Sequence, residues 1–510
     1  MLNLAGQGFS STLLIHQPIQ STSRTHQSEK METRTPPNVL QNQSLQVQQI
    51  RVSSSTPNKV QEPIRLNEPA VGWRIFRRLS HIILVVHLWL VAVLVIYLTV
   101  RGLQAASKTH HFHPRKWYPP LLASTGSSGI IGFSWQAFTG CSPSMALKTA
   151  FWFSPVLSLA SGVFFVIVGS RGGLAAGVIL IVCSLILSVY VCWINHRLNY
   201  AIRLLSLSTK YPPKNTSIFV FGSIIIGILY ASFLVIGIGG AIALRSDFTA
   251  LFVAAILLIL SWSLQVIKNI VQVTISCIKY LNLAEGSEKD IGAAFHDIIK
   301  NSVGTISLGS AIIPLFSFIQ GSARSMRLVA GDSDEFLFSC ANCCSGLASL
   351  LRSHGNRWGF VHVGVFNKGI VQASYDTWEA FKRAELEIVI HSDLTVSFCV
   401  LCGVSSGAIC SIISGIWTLV IHKNYATELA IYAFLIGYFL CRIAMAWPQA
   451  CVSAYYVAYA ENPQNPRYDS TVPDQIQRLQ RRSQFNQPQN LKTSEEADLD
   501  HSSSFSKRLA

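Results

Sequence analysis

From residue 79 to residue 460 the chain falls into apolar blocks of about 20 residues or more, joined by short polar or basic loops. That pattern leaves few folds open. In a bilayer every backbone N–H and C=O must find its partner inside the protein, so uncharged runs of this length are stable as spanning helices. Composition agrees: 13% of the 510 residues are charged and 50% are hydrophobic, whereas a soluble domain carries roughly 25% charged residues. The expected fold class is all-α, a polytopic transmembrane helical bundle of about ten membrane helices.

The two ends differ from the middle. Residues 1–70 are rich in Ser, Gln, Thr and Pro, and residues 463–510 are again polar. Neither stretch can bury enough apolar surface to fold alone, so both are expected to be disordered tails flanking a membrane domain over 71–462. Arg74, Arg77 and Arg78 before the first span, with Arg478, Arg481 and Arg482 near the other end, put both tails on the cytoplasmic side. The net charge of +15 sits mainly in tails and short loops. That placement argues for anionic lipid headgroups and against nucleic acid as the partner of these charges. No short apolar segment with a small-residue cleavage site follows the N-terminus, so the first span is expected to act as its own insertion signal.

Leu79–Val100, Thr149–Gly169, Gly173–Ile194, Ser217–Leu244, Phe248–Ile278, Leu394–Ile421 and Tyr425–Ala460 read as spans. Pro120–Cys141 is uncharged but dilute in large apolar residues. Trp358–Phe381 is interrupted by His362, Lys368, Asp376 and Glu379, so it is either a polar membrane helix or an amphipathic surface helix. Asn195–Ser208 has Leu198, Ile202 and Leu205 at helical spacing, as a helix lying along the membrane surface would. Lys268, inside a long apolar block, reads as a lysine snorkelling from a helix end, with the lining of a polar path as the alternative.

Motifs for ATP hydrolysis, a nucleophile elbow and an H-E-x-x-H pair are lacking, so an enzyme is not expected and neither is a cofactor. His110, His111 and His113 read as a solvated loop and not as a metal site. Cys340, Cys343 and Cys344 include a CxxC with no second pair, so thiols or sites of acylation are expected there. The other cysteines lie mostly inside apolar blocks, as small buried hydrophobes. Asn301–Gln320 is different: Gly304, the Gly309-Ser310 pair and Pro314 interrupt an apolar run. These residues suggest either tight helix packing or a local break that exposes backbone carbonyls, and a break at Gly309-Ser310 and Pro314 is the expectation. Aromatic residues gather downstream, with Tyr375 and Trp378 three apart, then Tyr432, Tyr438 and Trp447, then Tyr455, Tyr456 and Tyr459. They form either an interfacial belt or a cage for an organic cation, a contact worth roughly 0.5–2 kcal/mol per ring.

Three segments carry a family resemblance: GTISLGSAI (Gly304–Ile312), FVHVGVFNKGIVQASYDTWEAF (Phe360–Phe381) and YYVAYAENP (Tyr455–Pro463). In order and spacing they resemble the choline transporter-like family of solute carriers, in its plant-type branch, over about Leu79–Tyr468. The closing motif departs from the family's Glu-Asp-Pro, reading Glu461-Asn462-Pro463, and the loop after the first span is short. The resemblance implies a carrier that moves choline or a related quaternary or primary amine without ATP hydrolysis. It implies a multi-pass protein of the plasma membrane, with the Golgi or another endomembrane as the alternative. Combined with the aromatic and helix-break patterns, it makes Trp378, Tyr438, Trp447, Gly309 and Ser310 the candidate substrate-binding residues. The alternative is a non-transporting scaffold or trafficking protein whose tails recruit cytosolic partners.

Overall fold

The computed structural model of the protein describes residues 71–109, 112–330, 350, 353–390 and 392–485. The tail residues 1–70 and 486–510, His110, His111 and the cluster Cys340, Cys343 and Cys344 lie outside the described residues.

The helix α1, Val71–Thr109, shows how the apolar blocks settle. Val91, Val95 and Leu98 are spaced four and three apart, share one face and are buried, while Ile82, Ile83, Val85, Trp89 and Leu90 are exposed. A helix apolar all round, with only one face covered by protein, leaves its other face for lipid tails. Next come α2 (Pro114–Cys141), α3 (Pro143–Val168) and α4 (Arg171–Ile194). Gly169 ends α3 at φ +72°, the left-handed conformation open to glycine, and the Ser170 hydroxyl accepts from Gly173 N at 2.9 Å to start α4.

The helix α5, Leu198–Thr209, is amphipathic as expected, but its apolar face is covered by protein. Leu198, Ala201, Leu204 and Leu205 are buried in the main hydrophobic cluster. The membrane-surface placement expected for this segment is thus replaced by packing on the bundle. Two long helices follow, α6 (Thr216–Leu244) and α7 (Thr249–Ala284). With 36 residues α7 is about 54 Å long and outreaches a hydrocarbon core of about 30 Å.

The stretch around Asn301 does not break where its glycines and proline suggest. The helix α8, Ile291–Asn301, meets α9, Val303–Ala330, at a bend of 77° centred on Ser302. Helix α9 then runs unbroken through Gly309, Ser310 and Pro314. The expected break at Gly309–Pro314 is corrected to Ser302. Proline inside a helix removes one N–H donor, and tertiary neighbours on both sides hold α9 together regardless.

Trp358–Phe381 is likewise neither a single crossing nor a single surface helix. It folds as α10 (Gly359–Phe366) and α11 (Ile370–Arg383), hinged at Asn367 with φ +53°. A one-turn helix α12, Glu387–Ile390, leads to α13, Thr395–Ile421. The block expected as one final span is two helices, α14 (Ala426–Ala444) and α15 (Ala446–Glu461), parted at Met445. The polar stretch beyond 463 includes α16, Thr471–Phe485. It is tied to the bundle by Val472, fully buried, and by Gln480, which donates to Glu385 at 2.8 Å.

By length and hydropathy, seven helices among the described residues can cross a membrane, or eight if α8 and α9 count as one bent span. The protein is a multi-pass integral membrane protein. The count falls short of about ten because α10 and α11 are short and because α2, though 28 residues long, is dilute. The dilution has a structural reason. Ser124, Thr125, Ser128, Gly129 and Gly132 of α2 face inward against α6, α13 and α14, where small residues let helices approach closely.

Candidate functional site

Helix α15 is the axis of the bundle: every residue from Ala446 to Ala460 is buried. The helix is closed to lipid on all sides, and three polar clusters gather around it.

The first lies on α7. Lys268 is 3% exposed, so it does not snorkel. Its Nζ donates to Asn269 Oδ1 at 3.1 Å and to Gln272 Oε1. Asn269 Nδ2 in turn donates to Ser310 Oγ on α9 at 2.8 Å, and Ser310 donates to the Ile306 carbonyl at 2.7 Å. The snorkelling reading of Lys268 is corrected by its position: it lies 19 residues from the first residue of α7 and 16 from the last, too far from either end for its side chain to reach out of the bundle.

The second cluster closes the far end of α15. Glu461 Oε1 lies 2.8 Å from His362 Nε2 on α10, and Glu461 Oε2 accepts from the Tyr280 hydroxyl on α7. Thr377 Oγ1 on α11 sits 3.1 Å from His362 Nδ1 and donates to the Ala373 carbonyl at 2.7 Å. A hydroxyl has one proton. With that proton on the Ala373 carbonyl, Thr377 offers His362 Nδ1 a lone pair, and His362 faces Glu461 through Nε2. Four helices, α7, α10, α11 and α15, meet in this group. Just outside it, burial and the nearby Glu461 carboxylate push the Tyr468 hydroxyl up to about 12, so that ring is neutral at physiological pH.

The third cluster holds Arg357 against Asp393 at 3.0 Å, with side chains 17% and 2% exposed. The Arg357 guanidinium also lies 4.3 Å from the centre of the Trp358 ring. Nearby, the hydroxyls of Tyr200 and Tyr456 are 3.0 Å apart.

The sequence candidates distribute over these surroundings. Ser310 belongs to the α7 cluster through Asn269. Gly309 is buried, and a Cβ there would lie 3.1 Å from Phe360 and Ile370 side-chain atoms of α10 and α11. Tyr438 on α14 is half-buried, its ring over Gly403 of α13 beside the stem of Arg442. Trp447 is 4% exposed in the hydrophobic cluster around α6, α7 and α14, and its Nε1 has no hydrogen-bond partner among the described residues. Trp378 lies elsewhere, with Trp358, Phe381 and Tyr456 in the cluster toward Glu461. Asn269, Gln272 and Asp393 were not singled out from the sequence, and His362 was noted only as an interruption of an apolar segment. The signal for the first two was present as Lys268, Asn269 and Gln272, three polar residues within two turns of an otherwise apolar span.

The crowding at Gly309 makes one consequence measurable. Gly309→Leu is expected to wedge α9 away from α10 and α11 and to lower the apparent melting temperature of the purified protein by several degrees, since overpacking costs about 1–3 kcal/mol. Unchanged melting would show that this contact is loose.

A family profile described as plasma-membrane choline transporter matches residues 178–464, which contain all three polar clusters. Among curated relatives, the chain is 28% identical to Protein PNS1 of Mycosarcoma maydis over 222 residues, covering 40% of this chain and 41% of that protein. It is 21% identical to Protein PNS1 of Gibberella zeae over 225 residues, 42% of each chain. With Protein PNS1 of Yarrowia lipolytica it shares 26% identity over 141 residues, 26% of this chain and 24% of that one. The matched stretch thus spans about two fifths of the length of the first two relatives.

Proposed function

The chain belongs to the plasma-membrane choline transporter family, and on that premise we propose that it is a carrier moving choline or a related amine across the plasma membrane without ATP hydrolysis. The observation that carries this reading is the junction of α14 and α15 at Met445, flanked by the Tyr438 and Trp447 rings at the axis of the bundle. A quaternary ammonium has no N–H to satisfy, so aromatic faces suit it better than a carboxylate needing a matched donor. Discontinuous helices supply the moving parts that alternating access needs: the 77° bend at Ser302 and the hinges at Asn367 and Met445. Gly309 and Ser310 contribute by packing α9 against α7, α10 and α11, and Trp378 by its place beside the Glu461 cluster.

The reading is tested by uptake of labelled choline into liposomes holding the purified full chain, with and without a proton gradient. Uptake above empty liposomes is expected; its absence in both conditions would refute the carrier. Within that assay Trp447→Ala is expected to raise the apparent KM for choline about 5–30-fold, the loss of one ring contact of about 1–2 kcal/mol. Unchanged kinetics in a well-folded variant would remove Trp447 from the site.

A further inference from the structure

We infer that the bundle contains an anion-binding site, formed by Lys268 of α7 and Arg442 of α14, and that its occupant is a small monoanion of the chloride class or the anionic group of a solute. The inference does not rest on choline being the substrate.

The observation behind it is a buried charge imbalance. Lys268 and Arg442 are 3% and 7% exposed, and no ion pair among the described residues includes either. Arg442, Cys399 and Arg357 are the titratable groups near enough to bear on Lys268, and the Arg442 stem lies against Gly403, one turn from Cys399 on α13. Cys399 in turn feels all three cations and one carboxylate, Asp393. That carboxylate is already taken by Arg357, so neither Lys268 nor Arg442 has a carboxylate partner among the described residues. Such an arrangement is among the least tolerable in a water-poor interior. Deprotonating Lys268 would not resolve it, because arginine stays charged in proteins and Arg442 would still be unpaired.

The hydrogen-bonding inventory points the same way. Lys268 uses two of its three donors, on Asn269 and Gln272. Gln272 spends its carbonyl on the lysine and leaves Nε2 without a partner, and Arg442 Nη1 is also unpartnered. Buried polar groups are nearly always satisfied. The unmet atoms on Gln272 and Arg442 are both N–H donors, and what they lack is an acceptor. The effect on a cationic substrate is direct: the uncompensated Arg442 charge repels an ammonium entering the bundle, and an anion bound at Arg442 and Lys268 removes that repulsion.

The test is a thermal-melting titration of the purified full chain in sodium gluconate, adding sodium chloride at constant ionic strength. Chloride is expected to raise the melting temperature in a saturable way, unchanged when sodium is replaced by N-methylglucamine. In Arg442→Gln and Lys268→Met the half-effect concentration is expected to rise by about tenfold or more. A parallel titration with phosphocholine separates the sources. A rise with phosphocholine alone, again weakened in the two variants, assigns the anion to a solute and upholds the site. If the parent protein responds to neither, the inference is overturned, whatever the variants do. Choline uptake measured in chloride and in gluconate is a separate readout, so a failed carrier and a failed anion site remain distinguishable.

Discussion

Asp393→Ala is expected to destabilise the bundle by about 3–5 kcal/mol, the usual consequence of leaving one partner of a buried ion pair uncompensated. Its carboxylate is 2% exposed and bonds Arg357 at 3.0 Å, while its other oxygen accepts from Thr395 N at 2.9 Å at the start of α13. The substitution thus strands a guanidinium and removes the acceptor for a first-turn N–H. It also leaves Lys268, Arg357 and Arg442 around Cys399 with no carboxylate among them. The check is the fraction of purified protein that stays monodisperse after heating. Asp393→Asn can keep the Thr395 bond and should fall between parent and alanine variant. If the alanine variant melts with the parent, the Arg357 pair is not a structural element of the bundle.

Gly240→Leu is the second large effect, and its cause is steric. Helices α1 and α6 cross with backbone against backbone: a Cβ on Gly240 would come within 2.9 Å of Thr99 Cα and closer still to the Leu98 carbonyl, and one on Gly102 would strike the Gly240 backbone. Side chains can rotate away from a clash and backbones cannot, so the two helices must part. Without a hydrophobic force to hold helices together in lipid, that close contact is a large share of what keeps them paired. Loss of monodisperse protein from membranes is expected, exceeding the roughly 1–3 kcal/mol of ordinary overpacking. Gly222 is the control on the same helix. A Cβ there meets nothing within 4 Å, so Gly222→Leu should behave as the parent. Equal losses from both variants would trace the effect to glycine itself and not to the crossing.

Much of the fold was legible because hydropathy acts over one segment at a time. The apolar blocks corresponding to α4, α6 and α13 emerged close to their observed ends, and those of α1, α3 and α7 were located although the observed helices run on well past the expected bounds, since length and polarity alone decide whether such a run suits a bilayer. The breaks were not legible. Gly309-Ser310 and Pro314 are strong local signals, yet α9 runs through them and the bend falls at Ser302. Met445 parts α14 from α15 with no glycine in place and only Pro448 nearby. Where a helix bends depends on what its neighbours can cover.

The polar clusters show the same division more sharply. Sequence alone determined that this is a multi-pass helical membrane protein, and the three ordered segments ending at Pro463 marked its family, because both properties are written along the chain. Only the tertiary structure decided that Lys268 is buried and not snorkelling, that Glu461 meets His362 across 99 positions, and that Arg442 has no counter-charge among the described residues. The physical reason is range: insertion into lipid is judged within one helix, whereas the state of a buried charge is set by helices hundreds of residues away that the fold brings within a few ångströms.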